Sequence, residues 1–244
     1  MSPFIAEIIG TMLLILLGNG VVANALLNKT KGGDAGIVGI AIAWGLAVYV
    51  GVLVAGPYSG AHLNPAVSIG LAFAGKFEWS EVPMYILGQC IGAALGSILK
   101  VASYYDHYKA TDDLDLKLFT FANMPAISNP IPNLITELVG TFVLVFSVLY
   151  IVGPELEIDG QTTAIGLGSL GALPVALIVI VIGFSLGGPT GYAINPARDF
   201  IPRIMHSILP IGEKRDGLWS YSWIPVVGPI LGGIIAAGIF LLLQ

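Results

Sequence analysis

The sequence predicts an all-α membrane protein: six transmembrane helices plus two re-entrant half-helices, arranged as an inverted repeat. Three observations lead there. Of 244 residues, 56% are hydrophobic and only 10% charged, with a mean hydropathy of +0.88, whereas soluble domains carry about 25% charged residues. Six apolar stretches have the length that a helix needs to cross hydrocarbon, roughly 20 residues. Two further segments are too short to span, and both contain Asn-Pro-Ala.

The six helices are expected at 4–27, 37–55, 82–104, 133–153, 165–187 and 222–243. The first run is too long for a signal-peptide core and has no basic leader, so it reads as a retained helix. The leftover segments, 57–75 and 188–206, are interrupted by Pro and Gly. Lipid does not tolerate irregular backbone, so such segments must be buried in protein or line a polar cavity. They also resemble each other. Ser59-Gly60-Ala61-His62-Leu63-Asn64-Pro65-Ala66 matches Thr190-Gly191-Tyr192-Ala193-Ile194-Asn195-Pro196-Ala197, 131 residues on. Ala6-Glu7-Ile8-Ile9-Gly10-Thr11 matches Thr136-Glu137-Leu138-Val139-Gly140-Thr141, 130 residues on. Gly88-Gln89-Cys90-Ile91-Gly92 and Gly228-Pro229-Ile230-Leu231-Gly232 keep the order. The chain thus divides into a first repeat (1–110), a connecting extracellular loop (111–132) and a second repeat (133–244). An odd number of spans per repeat sets the copies in opposite orientations. Matching broken segments in inverted halves mark a permeation site.

Asn is a strong N-cap and Pro is favoured at the first helical position. Asn64-Pro65 and Asn195-Pro196 therefore each start a half-helix. Inverted copies bring the two N-termini face to face, with both positive dipole ends at the pore centre. That field opposes cations and protons. The Asn amides can donate to a passing molecule. Extended stretches at 59–63 and 190–194 can line its path with carbonyls, from Gly60, Ala61, His62, Gly191, Ala193 and Ile194. Such a track suits a neutral molecule that both donates and accepts.

Other features narrow the function. Lone Cys90 has no partner for an internal disulfide and reads as a small packing residue. The net charge of −5 is spread over short loops without a basic patch, which excludes nucleic acid. There is no cofactor motif, metal cluster or nucleophile-base arrangement in the apolar segments, so neither an enzyme nor a cofactor is expected. His107 and His206 fall in or near loops and receive no role. Glu7 and Glu137 lie about a turn inside their helices. A carboxylate there can accept N–H bonds from the extended loop and brace it.

On both Asn-Pro-Ala loops and both flanking repeats, the whole chain resembles the aquaporin family, the major intrinsic proteins. The resemblance implies a right-handed six-helix pore, passive flow without a cofactor, assembly as a homotetramer, and the bracing role for Glu7 and Glu137. It implies a selectivity filter of Trp44, Gly183, Tyr192 and Arg198. Gly183 replaces the His of water-selective relatives and leaves that wall empty. Asp199 after the loop arginine, and Pro225-Val226 in the last helix, are similar to the glycerol-conducting subfamily of bacterial type. Arg203, four residues on, is the expected partner of Asp199. Tyr192 departs from the Phe usual in bacterial glycerol facilitators. His62 is implied to face the pore.

Glycerol is the leading solute on this resemblance, with water, urea and dihydroxyacetone. Competing readings are a facilitator mainly for undissociated lactic acid, for water or hydrogen peroxide, or an ion-coupled transporter. The resemblance also implies a plasma-membrane location with cytoplasmic termini. Charge counting opposes this: Lys29, Lys31, Lys100, Lys109, Lys117, Arg203, Lys214 and Arg215 all fall on the outer side, and only Lys76 on the inner. Gly88, Gly92 and Gly96 permit close helix contact, as subunit association would require.

Overall fold

A computed structural model describes residues 1–158 and 161–244. Six helices are long and apolar enough to cross a membrane: α1 (Pro3–Leu26), α2 (Gly36–Ser59), α4 (Val82–Lys109), α6 (Pro130–Leu149), α7 (Leu173–Thr190, preceded by a 3-10 turn, Gly168–Ala172) and α9 (Ile224–Leu242). Two short helices, α3 (Pro65–Phe73) and α8 (Pro196–Ile208), follow the Asn-Pro pairs. A further short helix, α5 (Leu114–Phe119), and a hairpin of β1 (Glu155–Ile158) and β2 (Gln161–Ala164) lie in the connections.

Within the first half α1 packs on α2 and α4, and within the second α6 packs on α7 and α9. Helices α2 and α7 join the halves, and each half-helix lies on the opposite repeat, α3 on α9 and α8 on α4. The closest approaches are made over glycine. A Cβ at Gly92 would come within 2.3 Å of the Ile8 carbonyl oxygen, and one at Gly232 within 2.2 Å of that of Leu138. Gly88 and Gly96 likewise face α1 backbone. This corrects the reading of Gly88, Gly92 and Gly96 as a surface for subunit contact: the contact they permit is inside the chain.

Several boundaries differ from expectation. Helices α2 and α7 run through Pro57 and Pro189 to Ser59 and Thr190 before breaking at left-handed Gly60 (φ 75°) and Gly191 (φ 77°). Ser59 and Thr190 are therefore helical, and the extended track is shorter than 59–63 and 190–194. A proline costs the helix a backbone bond, but inside a bundle neighbouring helices compensate. Helix α4 continues past 104, with non-helical backbone at Tyr104 (φ −111°, ψ 16°). The fifth span begins with the 3-10 turn at Gly168, and its α-helix at Leu173, rather than at 165. Ile165, Leu167 and Leu170 raise the hydropathy there, but Gly166 and Gly168 interrupt the helix, and an antiparallel hairpin pairing Glu155 with Ala164 precedes them. In the connecting loop, Asp113 caps α5 by accepting from the N–H groups of Asp115 and Leu116.

Candidate functional site

The two half-helices meet as their caps require. Asn64 Oδ1 accepts from the Ala66 N–H (2.9 Å), and Asn195 Oδ1 from that of Arg198 (3.1 Å). The amide nitrogens then cross over. Asn64 Nδ2 donates to the Ile194 carbonyl and Asn195 Nδ2 to the Leu63 carbonyl, each at 2.8 Å. One amide hydrogen of each Asn is used here and the other is left over.

Just before each Asn, alternate residues sit at positive φ: Ala61 and Leu63 (both 53°), Tyr192 (43°) and Ile194 (44°). Such backbone costs a side-chain-bearing residue of order 1–3 kcal/mol and persists only when its surroundings over-determine it. Two fully buried carboxylates do so. Glu7 accepts from the N–H of His62 (3.0 Å) and Leu63 (2.8 Å), and Glu137 from those of Ala193 (2.9 Å) and Ile194 (2.8 Å). Glu7 also accepts from Ser59 Oγ (2.6 Å) and Gln89 Nε2 (2.8 Å).

The loops enclose a cavity of about 130 Å³. Gly60, Ala61, His62, Ala193 and Ile194 line it, with both Asn residues, Trp44, Tyr192 and Arg198. Gly191 is not among its lining residues. A Cβ there would meet the Asn123 side chain. The Arg198 guanidinium carbon lies 4.2 Å from the centre of a Trp44 ring. The wall at Gly183 is not empty: a Cβ there would meet Tyr192 Cζ at 2.9 Å and its hydroxyl at 3.0 Å. The Tyr192 ring occupies the room that Gly183 leaves. Among the described residues, the Tyr192 hydroxyl and Arg198 Nη1 are buried without a hydrogen-bond partner.

Asp199 turns away from the cavity. One oxygen accepts from Arg203 Nε (3.0 Å) and Nη2 (2.7 Å), the other from the Asn123 N–H (2.7 Å). Arg203 also donates to the carbonyls of Gly217 and Asn123. The His62 ring packs between Phe77 and Tyr85, with Nδ1 3.0 Å from Ser68 Oγ. Pro225 and Val226 lie in the first turn of α9, Cys90 is half-buried with a free thiol, and His107 Nδ1 lies 3.0 Å from the Asn28 carbonyl oxygen. His206 is buried beside Phe121. Lys100 and Arg203, counted as outer-side charges, are both fully buried. Lys100 donates to the Tyr108 hydroxyl and the Thr120 carbonyl, over the Phe121 ring. Neither presents charge to lipid headgroups.

The opposite wall was missed from sequence. Val48 and Val52, Val67 and Leu71, Leu144 and Val148, and Val175 and Val179 line the cavity with Leu14. Their i, i+4 spacing on four helices was the available signal. The repeat offset also pairs positions at the two mouths. Trp44, Gly183, Tyr192 and Arg198 correspond to Val175, Val52, Ala61 and Val67.

The comparisons agree with this architecture. A family model described as major intrinsic protein matches residues 1–240. The chain is 53% identical over 240 residues to a probable glycerol uptake facilitator protein of Thermotoga maritima, covering 98% of each chain. It is 48% identical to the glycerol uptake facilitator protein of Streptococcus pneumoniae, again over 98% of each. Among solved structures, the aquaglyceroporin from Plasmodium falciparum superposes with a TM-score of 0.80 at 31% identity, over 97% of this chain and 93% of that one. The chain, a multi-pass membrane protein of six spans with two re-entrant half-helices, belongs to the major intrinsic protein family.

Proposed function

We propose that the protein is a passive channel for glycerol and other small neutral solutes, with water, that excludes ions and protons. The observation that carries this is the constriction of Trp44, Tyr192 and Arg198. Trp44 and Tyr192 line the cavity together with the Arg198 guanidinium, and among the described residues the buried Arg198 Nη1 and Tyr192 hydroxyl have no hydrogen-bond partner. A short polyol fits that chemistry. Its C–H groups lie on the rings while its hydroxyls take the free donors. Beyond the constriction, hydroxyls exchange bonds along the loop carbonyls and the spare Asn hydrogens, and carbon slides on the valine and leucine wall. The names of the bacterial relatives support the same solute.

Ions are refused for two reasons. The apolar wall offers no replacement for a hydration shell. Both half-helix N-termini and Arg198 place positive potential on the axis. An ion-coupled transporter is disfavoured because Glu7 and Glu137 are already occupied by backbone donors. We place the channel in the plasma membrane as a homotetramer with cytoplasmic termini, so that the Arg198 mouth faces outward. Labelling of a cysteine substituted for Lys109 in intact cells tests that orientation.

Stopped-flow light scattering on proteoliposomes tests the function. Glycerol flux well above that of protein-free vesicles, without saturation or uncoupler sensitivity, is expected. Water flux without glycerol flux overturns the solute. Urea, dihydroxyacetone and lactic acid at several pH values complete the panel. Acid flux that persists at high pH counts against a neutral-solute pore.

A further inference from the structure

We infer that Gly18 on α1 sets the width of the constriction by deciding how far the Trp44 ring recedes from the pore. Gly18 is buried, and a Cβ built on it would lie 2.3 Å from Trp44 Cζ3, 2.5 Å from Cε3 and 2.6 Å from Cη2. The six-membered part of the indole therefore beds directly on α1 backbone. Carbon atoms in contact sit about 3.5–4.0 Å apart, so any side chain at 18 drives the ring about 1 Å off its bed. The ring has little freedom to yield: it is only 4% exposed, and the Arg198 guanidinium stacks against it. The unfilled space beside it is the channel, so displacement narrows the opening.

The inverted repeat supplies an independent observation. The offset that pairs Glu7 with Glu137 and Thr11 with Thr141 pairs Gly18 with Val148. The offset that pairs the two Asn residues pairs Trp44 with Val175. At one mouth the pair is a glycine and an indole. At the other it is two valines, both lining the cavity. The large ring occurs where the helix behind it is bare, and the smaller side chain where that helix carries its own bulk. Gly18 is thus a specificity-determining position that touches no solute.

The inference rests on the glycerol reading, yet the two fail separately. Wild-type channels without glycerol flux defeat the reading, while the ratio of urea to water flux still reports the width. The test is Gly18→Ala in proteoliposomes, with water, urea, glycerol and a four-carbon polyol. Overpacking a filled site forces the neighbouring side chain to shift. We expect glycerol flux to fall roughly tenfold, equivalent to about 1.4 kcal/mol, urea flux to fall less, and the loss to deepen for the larger polyol. Water flux should stay within about twofold, since a smaller solute meets little of the overpacking cost. Adding Trp44→Phe should restore most of the glycerol flux, because the smaller ring clears the new methyl group. Equal loss for all solutes, no loss, or no recovery in the double variant overturns the inference. If Gly18→Ala does not fold, the double variant decides. A folded double that conducts glycerol supports the ring bed. A double that also fails to fold shows that Gly18 serves helix packing, and overturns it.

Discussion

The two mouths of the channel are built on one scaffold and finished differently. Each has an Asn cap, a pair of positive-φ residues before it, and a buried carboxylate accepting from the N–H of the second of them and of the residue preceding that one. Beyond that the equivalent positions diverge. Trp44, Tyr192 and Arg198 stand where the other mouth has Val175, Ala61 and Val67. Behind them, Asp199 stands where the other mouth has Ser68. Asp199 binds Arg203 and the Asn123 backbone, whereas Ser68 takes Gln89 and faces His62. The duplicated parts make a pore, and the unduplicated residues at one end are those to which we assign its discrimination. A neutral second layer suffices where the pore is apolar. At the other end the layer is a buried ion pair of Asp199 with Arg203.

This contrast can be broken in order of expected effect. Asp199→Ser, which copies Ser68, leaves Arg203 buried without its partner, and such losses cost about 3–5 kcal/mol. We expect little folded channel, read as a large fall in the melting temperature of detergent-solubilised protein. A melt unchanged from wild type would show that the charged layer is dispensable. Glu7→Gln and Glu137→Gln each set an NH₂ against a backbone N–H, at about 3 kcal/mol per site. Matching shifts in melting temperature sharpen the case for an equivalent scaffold, and a large effect at only one site breaks it. Arg198→Ala should raise proton conductance about tenfold, a barrier change near 1.4 kcal/mol, while solute flux persists. Val67→Ala, at the equivalent point, should leave proton exclusion intact. A pH-sensitive dye inside the vesicles reads both, and an unchanged leak in Arg198→Ala assigns the barrier to the half-helix dipoles. Ser68→Ala is the mildest in flux, removing the hydroxyl that meets Gln89, His62 and the Asn64 carbonyl, each bond worth about 1 kcal/mol. A glycerol-to-water flux ratio altered by this change would show that the His62 mouth also discriminates.

The repeat and the half-helix starts were legible because capping is local chemistry: Asn-Pro announces a helix start wherever it lies. The later start of the fifth span was not. Hydropathy counts Ile165, Leu167 and Leu170 alike in a loop or a helix, and the hairpin has too few residues for a clear alternation. The valine wall was hidden for another reason. Helices apolar all round give no contrast between a face toward lipid and a face toward a pore. The bedding of Trp44 on Gly18 joins residues on different helices, and that of Tyr192 on Gly183 folds a loop back over its own helix. An empty position and the ring that fills it become one feature only when the chain is folded. Burial of Lys100 and Arg203 was equally invisible, since a charge near a helix end reads as a surface charge until its partners are known.

The crossed Asn bonds bear on how the protein is made. Asn64 finds its acceptor 130 residues later in the chain, at Ile194. At about 5–20 residues per second, that interval is on the order of ten seconds of synthesis. Throughout it the first loop has only first-repeat partners, Glu7 and Ser59, for its strained backbone, and its amide is unmet. The nascent first half is therefore an unfinished clasp. It closes only when the second loop arrives from the opposite face, so insertion of the last spans and completion of the pore become a single event.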